Sequence, residues 1–404
     1  MYGRPHCRQL YFYGNAISDE VRAARGIVTD SPAATRKMTG LCRALRSVGV
    51  GATIVSMGRG GGTRSGRLFR SHVSRVDGVA VIFGPVWDIP VVSQVVTALW
   101  LAWIAMRLRR RSRRAVHLMY NQMSAYLPAL VLLRLARAHT AVDIEDGPIP
   151  NNRVAHARSL GTLSPELFAR FVTGGALLAT SALARGTPIR PVKPYYGSIP
   201  VRDGSRSAWD LAGEGPLVIL FAGYLNEDTG LNVLAGAIGQ MRKSGDALFD
   251  GLVIKVAGMG PGLDVLRGLN EHHNRSPRVD ILGRIDNDAY ATLLRAAHVG
   301  LSLKPVGGDV SETTFPSKTV EYAENGLALI ATDIGDVRAL FGDAALYLER
   351  NDVGELIDRL RFALERPSVV AQMAKCGQRL VRERLSHTAA GYELAAFLFD
   401  GQAA

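Results

Sequence analysis

Short apolar runs alternate with longer helical patterns along this chain, and that alternation restricts the fold more than any other feature. In the first half, strand-like runs lie at residues 10–13, 52–57, 79–83, 115–120 and 140–144, and candidate helices lie at 32–48, 91–108 and 125–138. A β-α-β alternation predicts a parallel sheet with helices on both faces. The first half is therefore expected to be a doubly wound α/β domain.

The pattern stops and then begins again after a stretch at 203–215 that is rich in glycine, serine and charged residues. Beyond it, strand-like runs lie at 216–221, 251–257, 279–282, 299–303, 327–332 and 345–348, and candidate helices lie at 231–243, 263–273, 288–296, 318–325 and 353–365. A chain of 404 residues is too long for one compact core. We predict two Rossmann-like domains, 1–202 and 203–384. A last helical stretch, 370–399, is expected to cross back, so that a C-terminal helix at 385–404 packs on the first domain.

Positive charge is concentrated next to one apolar run. The chain has 48 Lys and Arg against 36 Asp and Glu, and its densest basic cluster, six arginines between 107 and 114, follows an uncharged run at 89–106 that contains Trp100 and Trp103. Such a pattern fits an anionic membrane surface better than nucleic acid. It predicts surface attachment through 89–114. The alternatives are a buried helix capped by solvated arginines and a true span, for which the run is short.

The three cysteines, Cys7, Cys42 and Cys376, are far apart and odd in number. They predict a reducing compartment, and they form neither a metal-ligand cluster nor a disulfide framework. The sequence also lacks a signal-peptide pattern at its start. We therefore expect a cytoplasmic protein held peripherally on the inner face of the cell membrane.

Three loops of the second domain place glycine between a strand and a helix. Gly223 and Gly230 bracket the first loop, and Gly258 and Gly260 lie in the second. Glycine lets the backbone approach a ligand closely, and open α/β sheets bind ligands at the carboxyl ends of their strands. The alternative is that these are ordinary tight-turn glycines. Two such sheets predict a cleft where two substrates meet.

The third loop, FPSKTVEYAENG, carries the most chemistry. Pro316 and Ser317 are expected to start a helix with Lys318 in its first turn, where a cation opposes the helix dipole. An anionic ligand would remove that penalty, so Lys318 suggests a phosphate partner. Glu321 lies one turn further on, where its carboxylate can accept hydrogen bonds from a ribose diol. The alternative is a solvated ion pair on a helix face.

The order of these segments resembles the family 4 glycosyltransferases of the GT-B fold. The matching residues are Phe221-Ala-Gly with Gly230, AGMGP at 257–261, ILGRI at 281–285, and FPSKTVEYAENG followed by ALIATDIGD. The resemblance is strong over 215–365 and weaker over the first half. It implies a nucleotide-sugar donor, retention of anomeric configuration, no cofactor and no metal ion, and it gives Glu321 the ribose-binding role.

The resemblance also assigns further residues and shows departures. It implies a catalytic role for Lys318 and Glu312, and donor binding by residues of the loops: Gly223, Tyr224, Gly258, Gly260, Arg284, Thr313, Phe315, Pro316, Ser317 and Glu321. The first glutamate of the family's Glu-x7-Glu motif falls on Thr313, with Glu312 one residue early. The usual arginine and lysine of the first loop are Tyr224 and Thr229, so both diphosphate-clamping cations are replaced there.

The acceptor side is expected in the first domain. The segment VDIEDGP ends a strand with three carboxylates, and strand alternation places Asp143 and Glu145 on one face with Asp146 at the tip. We predict that Glu145 or Asp146 takes a proton from an acceptor hydroxyl, and that Gly14 and Asn15 contact the acceptor. The alternative is a turn rich in Asp and Gly.

The sequence thus predicts a retaining glycosyltransferase that acts on a glycan or lipid-linked acceptor in surface polysaccharide synthesis. Two other classes stay open. A sugar-nucleotide epimerase of the same fold would need acid and base groups in the donor site, and few are present there. A pseudoenzyme, which keeps the fold and the membrane patch but not turnover, is supported by the replaced arginine and lysine.

Overall fold

The computed structural model describes residues 8–27, 32–61, 66–145, 162–201, 208–210, 215–270, 276–307, 311 and 313–400. The chain divides into two compact units. The first comprises residues 1–200 and 385–404, and the second comprises 201–384.

The first unit contains a mainly parallel sheet. Its strands are β1 (Gln9–Gly14), β2 (Gly51–Ser56), β4 (His72–Val76), β5 (Val79–Phe83), β7 (Val116–Tyr120), β8 (His139–Ile144), β9 (Ala176–Leu178) and β10 (Val192–Pro194). Among the described residues their order is β10-β9-β8-β7-β1-β2-β5-β4. Of the strands that the structure describes in this sheet, only the edge strand β4 runs antiparallel to its neighbour. A separate antiparallel pair joins β3 (Leu68–Phe69) to β6 (Val86–Trp87).

Helices cover both faces of this sheet. They are α1 (Asp19–Arg25), α2 (Pro32–Ser47), α3 (Pro90–Arg111), α4 (Leu127–Leu135), α5 (Pro165–Ala169) and the C-terminal α13 (His387–Phe399). On one face α2 and α13 share an apolar core with β1 and β2. Side chains of α3 and α4 fill a second core on the other face. The close crossing of α13 and α2 requires Gly391, because a Cβ there would lie 2.1 Å from the carbonyl oxygen of Ala44.

The second unit contains a six-stranded, wholly parallel sheet in the part of the chain that the structure describes. Its strands are β11 (Leu217–Tyr224), β12 (Leu252–Met259), β13 (Arg278–Gly283), β14 (Val299–Ser302), β15 (Ala328–Thr332) and β16 (Ala345–Leu348). Their order is β13-β12-β11-β14-β15-β16. The strand order therefore reverses between β11 and β14, and such switch points are where open α/β sheets bind ligands.

The helices of the second unit are α6 (Leu231–Ser244), α7 (Leu263–Asn270), α8 (Asn287–Ala296), α9 (Lys318–Glu324), α10 (Val337–Phe341), α11 (Val353–Glu365) and α12 (Pro367–Leu385). The predicted helical stretch 370–399 is two helices, α12 and α13. They separate at Ser386, whose side chain caps α13 by accepting a hydrogen bond from the backbone N–H of Ala389 at 3.2 Å. A side-chain cap of this kind starts a new helix instead of continuing the old one.

Candidate functional site

The two glycine loops of the second unit pack against each other. A Cβ at Gly258 would lie 1.9 Å from the carbonyl oxygen of Gly223, and one at Gly260 would lie 2.3 Å from that of Leu225. Both glycines also have left-handed φ values, 148° and 156°. Close packing and backbone conformation are therefore sufficient to explain why residues 258 and 260 are glycines, as expected for tight-turn glycines. Gly223 has φ 147° but faces open space, so only its backbone conformation favours glycine.

A third glycine allows the start of α6 to lie close to the chain that follows β14. A Cβ at Gly230 would lie 1.7 Å from the carbonyl oxygen of Leu303. The buried Asn351 side chain donates hydrogen bonds to the carbonyl oxygens of Leu303, at 2.9 Å, and Lys304, at 3.2 Å. The chain leaving β14 is therefore held on both sides at the switch point.

Helix α9 is fixed to this switch point by Tyr322. Its buried hydroxyl accepts a hydrogen bond from the backbone N–H of Ala222 at 3.2 Å, directly before Gly223. Burial raises the pKa of the Tyr322 hydroxyl, so it stays neutral and able to donate as well as accept. A Cβ at Gly300 would lie 2.3 Å from the Tyr322 ring, so glycine there lets α9 approach β14 closely. These contacts tie α9 to β11 and β14.

Lys318, Glu321 and Tyr290 form one hydrogen-bonded group at the first turn of α9. The Lys318 ammonium donates to the Glu321 Oε2 at 2.5 Å and to the Tyr290 hydroxyl at 2.7 Å. The Tyr290 hydroxyl donates to the same Glu321 oxygen at 3.1 Å. The side chains of Lys318 and Glu321 are 28% and 25% exposed, so both remain accessible to a ligand. The predicted ion pair on the helix face is therefore present, with an additional partner from α8.

The other donor-side residues predicted from the sequence occupy varied positions. Tyr224 and Met259 are exposed neighbours in register at the ends of β11 and β12. Thr313 and Pro316 are buried, Phe315 is half-buried, and Arg284 and Ser317 are exposed. Ser317 precedes α9 but its side chain makes no capping bond. Glu312 lies outside the described residues. Thr229 donates to the Tyr224 carbonyl oxygen at 2.8 Å, so its hydroxyl serves the loop's own structure.

A second cluster centred on one lysine, Lys37, lies at the end of β8 in the first unit. Lys37, on α2, is paired with Asp143 of β8 at 3.0 Å and with Glu145, the residue that follows β8. The Lys37 ammonium also lies 5.3 Å from the centre of the Tyr195 ring. Burial raises the pKa of the Asp143 carboxyl, and the Lys37 charge opposes that shift. Asp146 lies outside the described residues.

Gly14 ends β1 and Asn15 follows it, in the same sheet as β8. Gly14 pairs with Ser56 at the end of β1, and a Cβ there would lie 2.4 Å from the sulfur of Met38. The Asn15 Oδ1 and the Asp143 Oδ2 are buried without a hydrogen-bond partner in the structure. Both are acceptor atoms, so the groups that satisfy them must be donors such as hydroxyls or water.

Two polar residues of these clusters were missed by sequence analysis. Lys37 and Tyr290 both lie on amphipathic helices, where polar residues are expected in any case, so no local signal separates them from a solvated face. Among the described residues, no group of three His, Cys, Asp or Glu side chains is placed to hold a metal ion.

A comparison with protein families finds a match in the second unit. Residues 208–380 match the model of the family described as glycosyl transferases group 1. No curated protein matches the sequence.

Solved structures resemble nearly the whole chain. One is Anabaena Alr3699/HepE in complex with UDP, at 13% identity and TM-score 0.66, covering 96% of this chain and 98% of that one. Another is the alpha,alpha-trehalose 6-phosphate synthase from Burkholderia multivorans, at 13% identity and TM-score 0.66, with 98% of each chain covered. A third is the lipopolysaccharide outer core galactosyltransferase WaaB, at 11% identity and TM-score 0.61, covering 97% of this chain and 99% of that one. These likenesses confirm the predicted fold, GT-B with two Rossmann-like domains.

Proposed function

Because the chain has the GT-B fold and its residues 208–380 match the model of glycosyl transferases group 1, we propose that it is a retaining, metal-independent glycosyltransferase of family 4. It moves a sugar from a nucleotide-sugar donor to a glycan or lipid-linked acceptor in surface polysaccharide synthesis. The observation that carries this proposal is Lys318, whose ammonium is hydrogen-bonded to Glu321 in the first turn of α9, the helix that Tyr322 ties to β11. Alr3699/HepE, which has the same fold, was crystallised with UDP-glucose, and that supports a uridine nucleotide sugar as the first donor to test.

On the donor side, Lys318 would neutralise the diphosphate. As the bond between the anomeric carbon and the diphosphate oxygen breaks, its electron pair and the growing negative charge pass to the diphosphate. A cation in a site that excludes bulk water stabilises that charge most strongly in the transition state. Tyr224 and Thr229 supply no charge at the first loop. Lys318 is therefore the cation that we assign to the leaving group, and Glu321 would hold the ribose hydroxyls.

On the acceptor side, Glu145 would accept the proton released as the acceptor hydroxyl oxygen bonds to the sugar. Glu145 is 20% exposed, whereas the Asp143 carboxylate is fully buried. Lys37 pairs with both carboxylates, and this contact orients the Glu145 side chain. Asn15 and Gly14 would also contact the acceptor.

The transfer experiment offers a panel of radiolabelled UDP-, GDP- and TDP-sugars with an extract of lipid and glycan acceptors. Label appearing in the acceptor fraction, together with free nucleoside diphosphate, supports the proposal. Conversion of the donor into an isomeric nucleotide sugar, without transfer, identifies an epimerase. Nucleotide binding with neither reaction identifies a pseudoenzyme. The anomeric configuration of the product tests retention.

We also propose that the enzyme works peripherally on the inner, anionic face of the cell membrane. One described helix, α3, is long and apolar enough to cross a membrane by length and composition alone. Its Leu101 and Ala105 are fully buried in the core of the first unit, which supports surface contact over a span. The apolar side chains at every fourth position on its outer face are between 53% and 72% exposed: Val91, Val95, Leu99 and Trp103.

The basic cluster continues this apolar stripe. The Arg107 guanidinium lies 5.3 Å from the centre of the Trp103 ring, one turn further along α3. The arginines that follow are exposed, except the half-buried Arg109, which donates to the carbonyl oxygen of Ala136 at 3.3 Å. An apolar stripe ending in exposed cations matches an anionic interface, where the stripe enters the acyl boundary and the cations meet headgroups.

Co-sedimentation with phosphatidylglycerol vesicles tests this surface. Binding should fall as salt rises, because screening weakens contacts between exposed charges. Replacing Leu99 and Trp103 by serine should reduce binding at every salt concentration, whereas Val265→Ser, an exposed apolar residue of the second unit, should not. Serine at the exposed arginines should abolish the salt dependence: Arg110, Arg111, Arg113 and Arg114. Equal sedimentation of all variants would contradict the membrane proposal. It would not contradict the proposed transfer activity.

A further inference from the structure

Tyr290 connects two helices at the donor site. It lies on α8, whereas Lys318 and Glu321 lie on α9, 28 and 31 positions further along the chain. Its hydroxyl accepts from the Lys318 ammonium and donates to the Glu321 carboxylate. Its ring centre lies 4.6 Å from the same ammonium, within the range of a cation–π contact. One side chain therefore restrains both charged residues of the site.

The ion pair alone does not fix Lys318. A lysine and a glutamate three residues apart on a partly exposed helix face stabilise each other only weakly. The lysine side chain has four rotatable bonds, and immobilising it costs more rotamer entropy than for most side chains. A third partner that is anchored elsewhere is needed to hold the ammonium in one place, and Tyr290 is such a partner.

The backbone of Tyr290 is itself well fixed. Asp286 caps the start of α8, because its side chain accepts from the backbone N–H of Ala289 at 2.8 Å. The backbone N–H of Tyr290 donates to the carbonyl oxygen of Asp286 at 2.9 Å. Leu293 and Leu294, towards the other end of the helix, are buried. The phenol ring thus projects from an anchored first turn.

We propose that Tyr290 is a positioning residue for glycosyl transfer. On the basis of the proposed role of Lys318 at the diphosphate, Tyr290 has two tasks. It holds the ammonium in place before the donor binds, and it remains as a donor to Glu321 when Lys318 turns to the diphosphate. Glu321 then keeps a hydrogen-bonding partner throughout the reaction and stays oriented for the ribose.

The decisive variant is Tyr290→Phe, which keeps the ring and removes only the hydroxyl. Because Lys318 acts mainly on the transition state, kcat should fall about tenfold, the loss typical of one hydrogen bond to a charged group. KM should change less than kcat does, since donor binding is affected only through the orientation of Glu321. In the Lys318→Ala background, Tyr290→Phe should lower kcat no further, since the hydroxyl then has no ammonium to place. Tyr392→Phe, at an exposed tyrosine of α13, is the matched control and should change nothing.

A second measurement does not depend on turnover. The rate at which an amine-reactive reagent labels Lys318, followed by peptide mass spectrometry, should rise on the order of tenfold in Tyr290→Phe, because the ammonium loses a bond that restrains it. An unchanged labelling rate, or a drop in kcat that persists fully in the Lys318→Ala background, would overturn the role of Tyr290. If the unmutated protein transfers no sugar, the proposed function fails, while the labelling rate still decides whether Tyr290 holds Lys318.

Discussion

Each unit of the molecule contains a lysine that is paired with a carboxylate and lies over a tyrosine ring. In the first unit Lys37 meets Asp143 and Glu145 over Tyr195, and Asp143 is completely buried. In the second unit Lys318 meets Glu321 over Tyr290, and each charged side chain keeps about a quarter of its surface exposed. Both clusters combine a lysine, a carboxylate and a tyrosine ring, and the first also contains a second carboxylate. The charged side chains of the first cluster are more deeply buried than those of the second.

That difference separates a structural ion pair from an exchangeable one. A buried carboxylate depends on its partner, since removing the lysine leaves a charge that solvent cannot reach. A partly exposed pair is weak, because water and salt compete with it. Lys318 can therefore exchange Glu321 for a phosphate at small cost, whereas Lys37 is committed to its carboxylates. The charge of the first cluster, two carboxylates against one lysine, also disfavours an anionic group there.

The largest effect is expected from Lys37→Ala. Leaving Asp143 buried without its cation should lower the free energy of unfolding by about 3–5 kcal/mol, measured by chemical denaturation. Adding Asp143→Asn should recover part of the loss, because the neutral amide is cheaper to bury. Lys193→Ala removes an exposed pair with Glu393 and should cost less than about 1 kcal/mol. If Lys37→Ala lowers the free energy of unfolding no more than Lys193→Ala does, the ion pair of Lys37 is not the structural one that we describe.

The next effect is that of Lys318→Ala, and it should appear in catalysis. We expect kcat to fall by a factor on the order of a hundred, with a smaller change in KM, because charge on the leaving group grows in the transition state. The free energy of unfolding should move by less than about 1 kcal/mol. Normal turnover in this variant would remove Lys318 from the mechanism, and a large loss of stability would make it a structural lysine like Lys37.

A smaller effect is expected from Glu321→Gln. If the carboxylate holds the ribose diol, calorimetry should show nucleotide-sugar affinity weakened about tenfold, since hydrogen bonds to a charged acceptor are about twice as strong as neutral ones. Unfolding should change by no more than about 0.5 kcal/mol. Unaltered donor affinity would assign Glu321 to the ion pair alone.

The smallest expected effect is that of removing metal ions. If Lys318 supplies the positive charge that the diphosphate needs, EDTA should leave the transfer rate unchanged and added Mg²⁺ should raise it little. Loss of activity in EDTA, restored by a divalent cation, would mean that the exchangeable charge of the second unit is a metal ion and not the lysine.

The parallel strands were predictable because buried strands are nearly continuous apolar runs bounded by turn residues. The antiparallel edge strand β4 was not recognised, since HVSRV is polar and largely exposed. A signal was present nonetheless: Asp77 and Gly78 both have positive φ and form the two-residue turn into β5. An Asp-Gly pair before an apolar run is a strong hairpin indicator.

In the candidate site, the start of the helix that carries Lys318 and Glu321 was predictable from proline, glycine and charge in one short segment. Tyr290 and Lys37 were not, because their importance depends on contacts with residues 28 and 106 positions away in the sequence. Such contacts are set by the packing of helices on the sheet. The roles of Gly223 and Arg284 at the donor, and of Glu145 at the acceptor, stay predictions.

The placement of α13 has a consequence for synthesis on the ribosome. This helix, at residues 387–399, completes a core that begins with β1 and α2 near the start of the chain. The whole second unit, 201–384, is translated in between. At typical elongation rates of about 5–20 residues per second, the first unit waits about 10–40 s for its last helix, with part of its apolar face exposed. The unit translated second can thus finish folding first, and the nascent first unit is the part that we expect chaperones to protect.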